Sequence, residues 1–173
     1  MEESRRQEID RIAADISAGY GIRTPINDID ETVRKLGGTV CEKKTIAGAF
    51  AGEIEKDGAG FRITVSSSLD AKRRNFTVAH ELGHLFLHMH YNDKALWEKA
   101  GSRYYLGGND AKEQEADEFA AAFLMPAGGY EKHLHSGIAE NGRADLYMVA
   151  GHYNVPVDEA IRRGRVLGYI QDA

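Results

Sequence analysis

Phe76-Thr-Val-Ala-His80-Glu81-Leu-Gly-His84-Leu-Phe-Leu-His88 contains the pattern His-Glu-x-x-His inside a run of apolar residues. On an α-helix His80 and His84 lie one turn apart, so both imidazoles project from one face toward one point. Glu81 sits about 100° round the helix from His80. From there its carboxylate can hold a water beside a metal without ligating the metal itself, the general-base arrangement of a metallohydrolase. Val78, Leu82, Leu85 and Phe86 take the remaining faces. The helix is therefore expected to be buried almost all round, which is unusual for one carrying two histidines and a glutamate. Gly83 costs about 1 kcal/mol against alanine in a helix, and a close approach by another backbone would explain it.

Two histidines do not complete a catalytic zinc site; three protein ligands and an open position do. His90 stands ten residues after His80, where the metzincin pattern places a third histidine. That pattern needs a glycine to break the helix, and Leu87 occupies the position. A continuing helix would point His90 about 240° away from His84. His88 lies another turn along the stripe and is expected to pack or cap near the helix end. The better source is Glu113-Gln-Glu115-Ala-Asp117-Glu-Phe119-Ala-Ala-Ala-Phe123-Leu-Met-Pro126. Glu113 and Asp117 are four apart and project together; one can ligate while the other accepts the far ring N–H of a ligand histidine. Glu115 is about 200° from Glu113, and with Glu118 reads as a solvated acidic face. Phe119, Ala122 and Phe123 form the core stripe.

Around these two segments the periodicities outline the rest. Residues 8–18 place Ile9, Ile12, Ala13 and Ile16 at helical spacing, with Gly19 and Gly21 as the stop. Asp28 and Glu31 form a capping pair for a second helix with the stripe Ile29, Val33 and Leu36. Short β-type runs come next at 39–42, 46–54 and 61–66, the last two joined by a turn at Lys56-Asp57-Gly58. Ser67 and Ser68 offer caps for the motif helix. Residues 91–109 read as a long loop. A helix over 111–125 ends at Pro126, and a final helical pair covers 143–150 and 157–167. Helices, then a sheet, then helices indicate an α+β class.

The chain has 173 residues, 42% hydrophobic and 28% charged, which suits one folded domain and excludes a disordered tail or fibre. A net charge of −5 gives no general attraction to nucleic acid. One cysteine, Cys41, can form no internal disulfide and lacks a nucleophile signature; it reads as a half-buried strand residue. No apolar run is long enough for a membrane helix, and the polar start is no secretory signal, so a cytoplasmic protein is expected. The C-terminal pair has the outline of a helix-turn-helix whose Arg162, Arg163 and Arg165 would meet phosphates. The alternative function is therefore a DNA-binding regulator with a structural metal. Against it, Asp158 and Glu159 put negative charge where base edges would be read.

The joint pattern of residues 76–88 and 113–126 resembles the ImmA/IrrE family of metallo-endopeptidases. Tyr20-Gly-Ile-Arg-Thr-Pro25, Arg73-Arg74-Asn75-Phe76 and the ending from Val155 to Gly168 add weaker likeness. The resemblance implies metal ligands at His80, His84 and Glu113, with Glu81 as the base. Many members carry Asn where this chain has Asp117. The expected fold is α+β and zincin-like: a small antiparallel sheet with the metal-bearing helices in residues 1–130, and a helical subdomain in 131–173. The expected cofactor is Zn2+, with manganese or iron also suited to the donors. The resemblance further implies cleavage of one specific protein partner, a helix-turn-helix repressor. A histidine among His133, His135 and His152, or a tyrosine among Tyr104, Tyr105, Tyr147 and Tyr153, is left open as the oxyanion stabiliser.

Overall fold

The structure is a computed structural model that describes residues 1–45, 51–102, 110–136 and 145–171. Helices α1 (Glu3–Gly19) and α2 (Ile29–Lys35) precede strands β1 (Gly38–Lys43), β2 (Gly52–Asp57) and β3 (Gly60–Ser66). Helices α3 (Ala71–Gly83), α4 (Lys94–Lys99), α5 (Asp110–Leu124), α6 (Ala127–Ser136), α7 (Leu146–His152) and α8 (Val157–Val166) complete the chain. The fold is α+β, as expected.

Local chemistry accounts for several boundaries. Asp28 accepts the Glu31 N–H at 2.9 Å and starts α2. The cap of α3 is Asp70, which accepts from the Arg73 N–H at 2.9 Å, rather than Ser67 or Ser68. The expected long loop contains α4, because Asp93 accepts from the amides of Ala95 and Leu96 and nucleates a turn there. The strand expected from residue 46 begins at Gly52; residues 46–50 lie outside the described residues.

The sheet is mixed rather than wholly antiparallel. Its order is β1-β3-β2: β2 and β3 form the antiparallel hairpin, and β1 runs parallel to β3. The strand of the hairpin that lies beside β1 is the second, which points the same way as β1. Ile54, Phe61, Ile63 and Val65 are buried, and α3 packs on both β2 and β3 with Val78 and Leu82 in the same core. Helix α5 also packs on α3, and α1 packs on α5.

The close approach read from Gly83 is to α5. A Cβ at Gly83 would lie 2.9 Å from the Ala116 Cα and 3.0 Å from its carbonyl oxygen. Any side chain there would push the two helices apart, and with them the groups they carry. Past α3 the chain makes one π-helical turn, His84–His88, closed by the Met89 N–H on the His84 carbonyl at 2.9 Å. His90 then adopts φ 57°, so the helix stops there instead of continuing.

The C-terminal helices are tied to the rest by polar contacts. The Asn75 amide donates to the Asn154 carbonyl at 2.9 Å, and the Tyr130 hydroxyl to the Ala160 carbonyl at 2.7 Å. Arg163 is 1% exposed and bridges α8 to Asp10 of α1 and Glu118 of α5. The division expected after residue 130 falls inside α6. Among the described residues no helix is long and apolar enough to cross a membrane.

Candidate metal centre

Two helices and the π-helical turn bring His80, His84 and Glu113 together. One donor atom from each lies within 4.8 Å of the others. The His80 and His84 Nε2 atoms are 3.0 Å apart, and the Glu113 carboxylate stands 3.3 Å from the first and 3.5 Å from the second. The spacing of four residues places both rings on one side of the α3 axis, and the Gly83–Ala116 contact lets α5 bring Glu113 to them.

The far nitrogens fix how these rings present themselves. His80 Nδ1 is 2.8 Å from the Asp117 carboxylate, which can only accept, so Nδ1 carries a proton and Nε2 is the nitrogen left for a metal to take. Burial lowers the pKa of His80, but Asp117, Glu81 and Glu113 together outweigh it and leave it raised. Burial, and then the neighbouring His80, push His84 far below the ordinary imidazole value, so this ring stays neutral. Two imidazole nitrogens and a carboxylate, ringed by acidic groups, are donors suited to a divalent cation, zinc above all. The residues therefore fit a metal.

Glu81 is 3% exposed and lies beside this cluster rather than in it. Burial raises its pKa to about 7; His80 opposes the rise, while Glu113 and Glu53 add to it. The backbone of β2 at Gly52 leaves no room for a side chain beside this carboxylate. A Cβ at Gly52 would meet Glu81 Oε1 at 2.8 Å. A cleft of about 310 Å³ opens over the cluster, lined by Gly52, Phe76, Thr77, Glu81, Asp117 and Glu159 among others.

Other candidates are placed elsewhere. His90 is exposed and outside the cluster. Glu118 is buried against Arg163 rather than solvated, and Glu115 pairs with Arg5 at 2.7 Å. Cys41 is exposed on the edge strand β1, not half-buried. Arg163 is buried, and Arg162 faces Glu159 and Asp117. Tyr147, Tyr153 and the histidines 133, 135 and 152 do not line the cleft, and Tyr104 and Tyr105 lie outside the described residues. Three neighbours are not read from the sequence as belonging to the site: Gly52 and Glu159, which only folding brings to the cleft, and His88. The spacing of His88 from His84 is a signal; the wide turn that joins their rings is not visible in it.

Comparison with known proteins gives the family and the fold. Residues 34–163 match the family Peptidase M78, described as the IrrE N-terminal-like domain. No curated protein matches the chain. Among solved structures, a Mycobacterium tuberculosis transcriptional regulator shares the fold with a TM-score of 0.62 and 17% identity. The alignment covers 93% of this chain and 51% of that one, so this chain spans about half of the regulator's length. With a family match running from the end of α2 to α8 and across the whole His-Glu cluster, this chain belongs to the M78 peptidase family, as an IrrE N-terminal-like domain.

Proposed function

We propose that the chain is a metal-dependent endopeptidase that cuts one specific protein partner, a helix-turn-helix transcriptional repressor. His80, His84 and Glu113 hold the metal and Glu81 is the general base. The observation that carries the reading is a buried carboxylate, its pKa raised by burial, beside three converging donors. A carboxyl poised there can take a proton from water and give it back at neutral pH.

A divalent ion bound by these donors would polarise the scissile carbonyl and acidify the attacking water toward a pKa of about 7. The residues do the rest. Glu81 takes the proton of the attacking water and delivers it to the leaving amine. Asp117 holds His80 in one orientation through Nδ1. The outer edge of β2 offers a place for an extended peptide. The Ser66 N–H bonds the Ala51 carbonyl, so alternation turns the backbone groups of Gly52, Ile54 and Lys56 away from β3. Lys56 shows this, donating outward to the Ser102 carbonyl at 2.7 Å. A substrate strand added along Gly52 and Ile54 would carry its peptide bond past Glu81.

Zinc is the favoured ion, with manganese or iron compatible. Residues 131–173 would act as a helical subdomain framing the cleft, and the working compartment would be the cytoplasm. Family resemblance supports the repressor as substrate. The test is a gel of repressor fragments after incubation with the zinc-loaded chain. Wild type should cut at one site, and Glu81→Gln should bind zinc and the repressor without cutting. Sequence-specific operator binding by this chain alone, with no cleavage under any of the three metals, would overturn the reading in favour of DNA binding.

A further inference from the structure

His84 is held from behind by a line of side chains that the proposed chemistry does not use. Its Nδ1 lies 2.9 Å from the Nδ1 of His88, whose Nε2 lies 3.2 Å from the Glu115 carboxylate. Arg5 clamps that carboxylate with two bonds, 3.0 Å from Nε and 2.7 Å from Nη2. The His88 side chain is 4% exposed. The π-helical turn seats its ring beside that of His84, with centroids 5.1 Å apart. Such wide turns recur at functional sites.

The order of protons is dictated by which atoms can donate. Arg5 has only donors, and a carboxylate bonded to it has only acceptors. The His88 Nε2 must therefore carry the proton it shares with Glu115. Two facing Nδ1 atoms 2.9 Å apart share one proton, and a neutral His88 has already spent its own on Nε2. The shared proton then belongs to His84, which is left with a bare Nε2. That nitrogen is the one facing His80 and Glu113.

We propose that Arg5, Glu115 and His88 are positioning residues that fix His84 as its Nδ1–H tautomer, aiming the Nε2 lone pair at the metal position. The inference rests on the proposed metal site and extends it to α1, which precedes the residues matched to the family. His80 has its own holder in Asp117, so each imidazole is oriented by a separate chain of side chains. Outer partners of this kind set ligand orientation and basicity.

The experiment uses the full chain with 15N-labelled histidine. Two-bond nitrogen–proton correlations read the His84 tautomer in metal-free protein, and chelator competition reads zinc affinity. Wild type should show one His84 tautomer, protonated at Nδ1. His88→Phe should mix the tautomers and weaken zinc about 10–100-fold. Glu115→Leu should weaken it about tenfold, while Glu115→Gln keeps an accepting oxygen and should stay within about threefold of wild type. A folded His88→Phe with an unchanged tautomer and unchanged affinity would overturn the relay. If His88→Phe does not fold, equal affinities for Glu115→Leu and Glu115→Gln would overturn it instead. Absence of zinc binding by wild type would overturn the metal site and the relay together, whereas the other outcomes strike the relay alone.

Discussion

The two sides of the candidate site solve one problem in different surroundings. On the cleft side, His80 is held by Asp117, whose side chain is 39% exposed. On the interior side, His84 is fully buried and its partner His88 nearly so. Water competes for the cleft-side contacts and screens them; it does not reach the facing His84 and His88 rings, and only the outer Glu115–Arg5 pair behind them is partly exposed. The interior side can therefore set geometry, while the cleft side stays open enough for a substrate to enter. Glu113 and Glu81 stand between them, one completing the donor set and the other buried under β2.

The largest effect should come from removing the group that joins both sides. Glu113→Ala leaves two imidazoles, which cannot hold a catalytic metal firmly. Zinc affinity measured by chelator competition should fall by orders of magnitude, and His90→Ala should leave it nearly intact. A reverse result would move the third donor to His90 and break the proposed pairing of α3 with α5.

A second effect separates burial from metal binding at Glu81. Its ordinary pKa is 4.5 and burial in the fold raises it to about 7. The folded chain thus binds this proton more tightly than the unfolded chain does. Stability of the metal-free protein should fall as pH rises from 4.5 to 7 and stay lower above that, by up to about 3 kcal/mol from this group. Glu81→Gln should flatten that part of the profile in urea melts, and be the more stable form at pH 8. Bound zinc should also shrink the slope, because a nearby dication favours the carboxylate. Parallel profiles for both proteins would mean that Glu81 is better solvated than its place under Gly52 implies.

The features legible in the sequence are those that depend on local spacing. The His80/His84 stripe, the Asp28 cap and the reason for Gly83 all involve residues within a turn or two, or a single close contact. The parallel pairing of β1 is not legible, because strand order depends on where the chain re-enters the sheet. The α4 turn hides in a segment without periodicity, although Asp93 is there to cap it. Glu118 reads as solvated because its partner Arg163 is 45 residues away. His88 reads as a packing residue only if the helix stays regular, and a π-helical turn redirects the side chains beyond it. The family supplies the rest: spacing alone leaves Glu113 and Asp117 exchangeable, and resemblance chooses between them.

On the cleft side the smallest effect is expected at Arg162. Asp117→Ala removes the holder of His80 and should weaken zinc about 10–100-fold. Behind Asp117 stands Arg162, whose Nη1 is 3.7 Å from the carboxylate and whose side chain is 37% exposed. A pair that long and that wet contributes at most about 1 kcal/mol. Arg162→Leu should therefore change zinc affinity by no more than about fivefold, and the difference should shrink as salt is raised. Glu115, held by Arg5 through two bonds and bonded to a buried ring, should lose less over the same salt series, although the Arg5 pair itself is partly exposed. If Arg162→Leu costs as much as Asp117→Ala at every salt concentration, the cleft side is as rigid as the interior, and exposure does not divide the two holders.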